Sequence, residues 1–113
     1  MRHDTLDFAP GFRVSFELRD AQSAVMVIPA GGSEGGPDNY HRGADQWLYV
    51  IDGLGVAIVD GREVSLGPAD LLVIERGERH EIRNVGDVPL KTLNFYSPPA
   101  FDGEGNPVGP GKE

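Results

Sequence analysis

Apolar and polar residues alternate without a break from Phe12 to Leu18, the period of two that marks a strand with one buried face. Phe12, Val14, Phe16 and Leu18 are the expected core set. Asp20-Ala21-Gln22 reads as a turn, and Ser23 to Ile28 as a second strand buried more continuously. Pro29 to Pro37 holds four glycines and two prolines in nine residues, a composition that breaks a ladder and predicts a loop. The alternation resumes in Gln46-Trp47-Leu48-Tyr49-Val50-Ile51 and stops at a turn at Gly53. Parity places Gln46, Leu48 and Val50 on the interior face and Trp47, Tyr49 and Ile51 outside.

Gly55 to Val59 and Arg62 to Leu66 flank Asp60-Gly61, a dipeptide suited to the positive φ angles of a type I′ hairpin turn. Gly67-Pro68-Ala69-Asp70 turns the chain into Leu71-Leu72-Val73-Ile74, a wholly apolar run that predicts a strand covered on both faces. After a turn at Gly77, His80, Ile82 and Asn84 share one face of the next strand. Glu81 and Arg83 share the other, so His80 is expected to point inward. Val85-Gly86-Asp87 turns again, and Leu90 to Tyr96 is the last strand. Ser97-Pro98-Pro99 ends it, and residues 97–113 form a Pro/Gly-rich tail expected to be a covering loop or disordered. Strands recurring every eight to twelve residues predict an all-β sandwich or small barrel, one domain over residues 1–113 with its core in about 12–96.

Composition narrows the function classes. No segment shows a convincing helical period, and the 16 glycines and 9 prolines suit short strands and tight turns. A formal charge of −8 disfavours nucleic acid and anionic membranes, which are bound through clustered Lys and Arg. The chain has no cysteine, so a metal site must come from His, carboxylate, amide or water. Without an apolar signal core near Met1 or a bilayer-length apolar run, the expectation is a soluble cytoplasmic protein.

The chemistry is concentrated in two segments. Asn39-Tyr40-His41 places an amide and an imidazole on one side of an extended stretch, and Gln46 follows His41 after a four-residue gap. Gly77 to Asn84 supplies a second imidazole, His80. His3 reads as a solvated terminal residue. Asn94 and Tyr96 share a face of the last strand and are candidate pocket residues, with Leu93 and Phe95 as the alternative inward set. Three large apolar groups on an outer face, Trp47, Tyr49 and Ile51, call for a cover: another strand, the N-terminal arm, or the interface of a homodimer.

These segments resemble the two motifs of the cupins. The first, His-x-His, three or four residues, Glu, six residues, Gly, falls on Asn39, His41, Gln46 and Gly53. The second, Gly, five residues, Pro-x-Gly, two residues, His, three residues, Asn, falls on Ala69, Glu75, Gly77, His80 and Asn84. With flanking strands the likeness runs from about Phe12 to Tyr96. It implies a conical antiparallel β-barrel of jelly-roll type, often a homodimer. It also implies a site in the barrel mouth for one divalent transition metal (Fe, Mn, Ni or Zn), with His41, Gln46, His80 and Asn39 in the ligand positions.

Activities in the family include dioxygenation, isomerisation, epimerisation and decarboxylation on small organic molecules, and some members only bind. Gln46 replaces the usual glutamate, which removes a negative charge from the ligand set and is expected to weaken binding of a divalent ion. Asp38 and Asp45 could compensate, although their parity points them outward. The competing expectation for His41, Gln46 and His80 is a neutral hydrogen-bonded cluster with water, in a binding or sensor module or a dimeric interaction module.

Overall fold

The computed structural model describes residues 1–36, 43–102, 104, 106 and 107. Among these residues all regular structure is β, in two antiparallel sheets. The strands in chain order are β1 (Gly11–Leu18), β2 (Ala21–Ile28), β3 (Ser33–Gly35), β4 (Asp45–Asp52), β5 (Gly55–Val59), β6 (Arg62–Leu66), β7 (Leu71–Ile74), β8 (His80–Asn84) and β9 (Leu90–Ser97). One sheet has the order β1-β2-β9-β4-β7 and the other β3-β8-β5-β6. Chain-distant strands lie side by side, as in the expected jelly roll.

The inner faces of the two sheets meet in a core of Met26, Ile28, Leu48, Val50, Ala57, Leu66, Ile74, Ile82 and Leu90. Burial of each large aliphatic side chain contributes about 1.5 to 3 kcal/mol relative to leaving it in water. Near the start of β4 a second cluster joins Ala24, Ala44, Tyr96 and Ala100, packed by Phe12 and Phe101. Asp60 and Gly61 both have positive φ, the backbone a type I′ hairpin needs. Ala69 keeps a positive φ of 73° where the cupin pattern has glycine, so the turn conformation survives the loss of the residue that favours it.

Several local expectations are corrected. The glycine-rich loop contains the short strand β3, paired with β8 through Ser33↔Arg83, Glu34↔Ile82 and Gly35↔Glu81. Three residues at the sheet edge need only one neighbour, so the flanking glycines and prolines do not exclude a ladder there. The β1–β2 turn falls at Arg19 and Asp20, with Arg19 at φ 53°, and Ala21 and Gln22 already belong to β2. β7 is an edge strand covered on one face: Leu71 and Val73 are exposed while Ile74 is buried. In β1, also an edge strand, Leu18 is exposed and Phe12, Val14 and Phe16 are only partly buried.

Candidate functional site

Inward parity on β4, β8 and β9 delivers the polar interior. Gln46, Leu48 and Val50 are buried along β4, His80, Ile82 and Asn84 along β8, and Leu90, Thr92, Asn94 and Tyr96 along β9. The register pairs Gln46 with Tyr96, Leu48 with Asn94 and Val50 with Thr92. Gln46 therefore reaches Asn94 diagonally, one step along the neighbouring strand. Its Nε2 donates to Asn94 Oδ1 at 2.9 Å, Asn94 Nδ2 donates to Thr92 Oγ1 at 2.9 Å, and Thr92 Oγ1 donates to the Met26 carbonyl at 2.7 Å. Gln46 is 2% exposed, and its Oε1 is a buried acceptor with no hydrogen-bond partner among the described residues. An unsatisfied buried carbonyl oxygen costs about 1 to 3 kcal/mol, which a cation or a donor at that point would relieve.

His80 is 5% exposed, and its Nδ1 lies 3.3 Å from the Glu78 carbonyl oxygen. A carbonyl only accepts, so Nδ1 carries the proton and Nε2 keeps the ring's lone pair. Burial holds the imidazole below its ordinary pKa, against the opposing pull of the Glu78 carbonyl and carboxylate, so the ring is neutral at physiological pH. Tyr96 is pushed above its ordinary pKa, chiefly by burial and secondarily by the charge of Glu34, and stays a neutral phenol. Gly36 N donates to the His80 carbonyl at 3.2 Å, so the glycine-rich loop passes beside this histidine. Asn39 and His41 lie outside the described residues.

The carboxylate next to Gln46 in sequence has a structural partner. Asp45 accepts from Arg76 N at 2.9 Å and from its guanidinium at 3.1 and 3.3 Å, which ties the start of β4 to the turn before Gly77. Hydrogen bonds from Arg76 hold the Asp45 carboxyl below its usual pKa. Asp45 is thus engaged with Arg76 rather than turned toward Gln46.

Asn84, the last residue of the second cupin motif, is structural. Its Nδ2 donates to the carbonyls of Ile28 and Val88, and its Oδ1 accepts from Gly86 N, so one amide ties β2, β8 and the β8–β9 turn together. Asn84→Ala is expected to cost about 2 to 4 kcal/mol by leaving buried backbone groups unpaired. Urea unfolding measures this, and a loss below about 1 kcal/mol would contradict the role.

On β9, Asn94 and Tyr96 form the inward set and Phe95 is 44% exposed, which resolves the two parities. Sequence reading did not single out Thr92, although it shares the face of Asn94 and Tyr96. It also took Gln22 for a turn residue. Gln22 is buried and grips the tail: its Oε1 accepts from Ala100 N and Phe101 N, and its Nε2 donates to Phe101 O. Phe101 consequently packs on Phe12 and Tyr96, with ring centroids 4.7 and 4.9 Å apart. Trp47, Tyr49 and Ile51 stand on the outer face at 45, 38 and 40% exposure, uncovered by the N-terminal arm or another described strand.

Among the described residues no group of three or more His, Cys, Asp or Glu side chains comes together as a metal site. The Gln46 amide is a different type of donor and still fits one. Its unpartnered oxygen and the neutral, lone-pair-bearing His80 ring are the chemistry a borderline divalent ion takes.

Comparison with known proteins gives the family context. A family model described as "Cupin domain" matches residues 24–96. The tetracenomycin polyketide synthase protein TcmJ of Streptomyces glaucescens is 41% identical over 61 residues, covering 54% of this chain and 41% of that protein. An acireductone dioxygenase of Rhodopseudomonas palustris is 34% identical over 65 residues, covering 53% and 39%. The chain thus matches 41% and 39% of the lengths of these two relatives. A solved structure from Bacillus halodurans superposes with a TM-score of 0.75 at 24% identity, over 88% of this chain and 76% of that one. That likeness concerns the fold alone.

Proposed function

Because the chain belongs to the cupin domain family, we propose that it binds one divalent transition metal (Fe, Mn, Ni or Zn) through Gln46 and His80, with His41 and Asn39 completing the ligand set, and acts on a small organic molecule. The observation that carries this reading is the buried, unpartnered Oε1 of Gln46. His80 supports it with a neutral ring whose proton is assigned to the Glu78 side.

A bound ion would supply Lewis acidity or, with a redox-active metal, a centre for oxygen chemistry. The protein's part is to orient the donors and to exclude water with the apolar residues around them. All four proposed ligands are uncharged, so the charge of a divalent ion is left for the substrate. An organic anion that chelates through two oxygens is the substrate class this favours. The acireductone dioxygenase relative makes dioxygenase-like turnover the first activity to assay, and binding without turnover is the alternative that assay separates.

The test is elemental analysis of protein purified without tag or chelator, beside His80→Ala. About one equivalent of transition metal in the parent, lost from the variant while the fold is kept, is the expected result. Absence of metal from the parent, together with no uptake of any added divalent ion, would sink the metal centre.

We further propose that the molecule is a homodimer through the outer face of the five-stranded sheet, in a cytoplasmic setting. Val73 on β7 and Phe95 on β9 both pair with Trp47, and Leu71 pairs with Tyr49. With Ile51 they make one apolar surface of exposed side chains. Patches of this kind on soluble domains mark association surfaces. Trp47→Lys combined with Phe95→Lys is expected to turn a dimer into a folded monomer in analytical ultracentrifugation. A monomeric parent, or an unchanged dimer, would refute this face as the interface.

A further inference from the structure

The chain of hydrogen bonds from Met26 to Gln46 has only one consistent direction. A backbone carbonyl can only accept, so Thr92 must spend its single hydroxyl hydrogen on Met26 O, 2.7 Å away. Thr92 Oγ1 is then an acceptor toward β9's next inward residue, which obliges Asn94 to face it with Nδ2, at 2.9 Å. Asn94 Oδ1 is thereby turned to Gln46, and only the NH2 group of Gln46 can meet it, at 2.9 Å. The one buried Gln46 atom left without a partner among the described residues is Oε1. Thr92 and Asn94 are both 0% exposed, so water does not compete for these positions.

We propose that Thr92 and Asn94 are positioning residues: they fix the orientation of the Gln46 amide, present its oxygen to the site, and make position 46 a place for an amide and not a carboxylate. A carboxylate there would set an oxygen that only accepts against Asn94 Oδ1, which also only accepts. The departure from the family's usual glutamate is thus matched by residues 46 and 48 positions further along the chain, on a strand that pairs with β4. The role of the relay toward an ion rests on the metal reading above. Its effect on which residue position 46 accepts does not.

The experiment uses the full chain and two readouts. In metal-free protein, urea unfolding of Q46E, T92V and the double variant forms a cycle. Removing the Thr92 hydroxyl lets Asn94 turn its NH2 group toward position 46, so Q46E is expected to lower the midpoint less than half as much in the T92V background as in the parent. T92S, which keeps the hydroxyl, is expected to behave as the parent and separates loss of the hydrogen bond from damage to packing. Equal cost of Q46E in both backgrounds would overturn the relay.

With Co2+ as the probe, calorimetric titration and the visible spectrum of the bound ion report on the oxygen of Gln46 directly. T92V is expected to weaken Co2+ binding about ten- to a hundredfold, the usual effect of removing a group that orients a ligand, with a shifted spectrum, and T92S to restore both. Parent-like affinity and spectrum in T92V would overturn the positioning role. A parent that binds no Co2+ overturns the metal centre instead, and the metal-free cycle then judges the relay by itself.

Discussion

Gly53→Ala is expected to destabilise the protein by about 3 to 5 kcal/mol, a large part of the roughly 5 to 15 kcal/mol that holds a typical domain together. Gly53 follows β4 with φ at 96°, a conformation that L side chains rarely adopt. An added Cβ would lie 2.6 Å from the Pro89 carbonyl oxygen and 2.8 Å from Leu90 Cα. Both are backbone atoms at the start of β9, so relief requires β4 and β9 to move apart. The backbone strain and the overlap each contribute about 1 to 3 kcal/mol. In urea the midpoint should fall with little change in slope, and the thermal midpoint should drop by more than about 10 °C. A variant within about 1 kcal/mol of the parent would show that the β4–β9 junction is not rigid. The consequence reaches the site, because the register of these strands sets Gln46 diagonal to Asn94.

Saturation with a suitable divalent metal is expected to be nearly as large an effect, in the opposite direction. A ligand that binds only the folded state adds about 2.7 kcal/mol at a free concentration one hundred times its Kd. For a chain of this length that raises the thermal midpoint by roughly 10 °C. Ni2+, Zn2+, Mn2+ and Co2+ are to be scanned on chelator-treated protein, since affinity at N/O sites varies strongly along this series. His80→Ala should abolish the rise, because it removes the one buried imidazole among the described residues. Asp45→Asn should retain it, as that carboxylate is bound to Arg76. Metal-induced stabilisation that survives His80→Ala would move the ion elsewhere.

The fold was legible because strands announce themselves locally. Alternation over Gln46 to Ile51 and over His80 to Asn84 assigns each side chain to a face, and a buried face permits one parity. The spacing from His41 to Gln46 and Gly53, and from Gly77 to His80 and Asn84, marks a candidate site by resemblance; Gln46, His80 and Asn84 are buried, and His41 lies outside the described residues. Edge position was not legible. Leu71 to Ile74 carries the composition of a covered strand, yet β7 and β1 have only one neighbour each, and neighbours are a property of topology. Ser33 to Gly35 became a strand only because β8 offers it an edge.

On β9 the sequence left Asn94 and Tyr96 against Leu93 and Phe95, and burial in the structure chose the former. By itself the sequence determined the all-β class, most strand limits, the inward parity of Gln46 and His80 within their own strands once one face is taken as buried, and the outward stripe of Trp47, Tyr49 and Ile51. Those are consequences of a side-chain period of two, which needs no knowledge of partners. Only the tertiary structure decided which atom of the Gln46 amide is left without a partner, which carbonyl Thr92 binds, and that Gln22 holds the tail at Phe101. Each of these depends on hydrogen bonds between strands far apart in the chain, where donor and acceptor identity is settled by what stands opposite and not by the residue's neighbours in sequence.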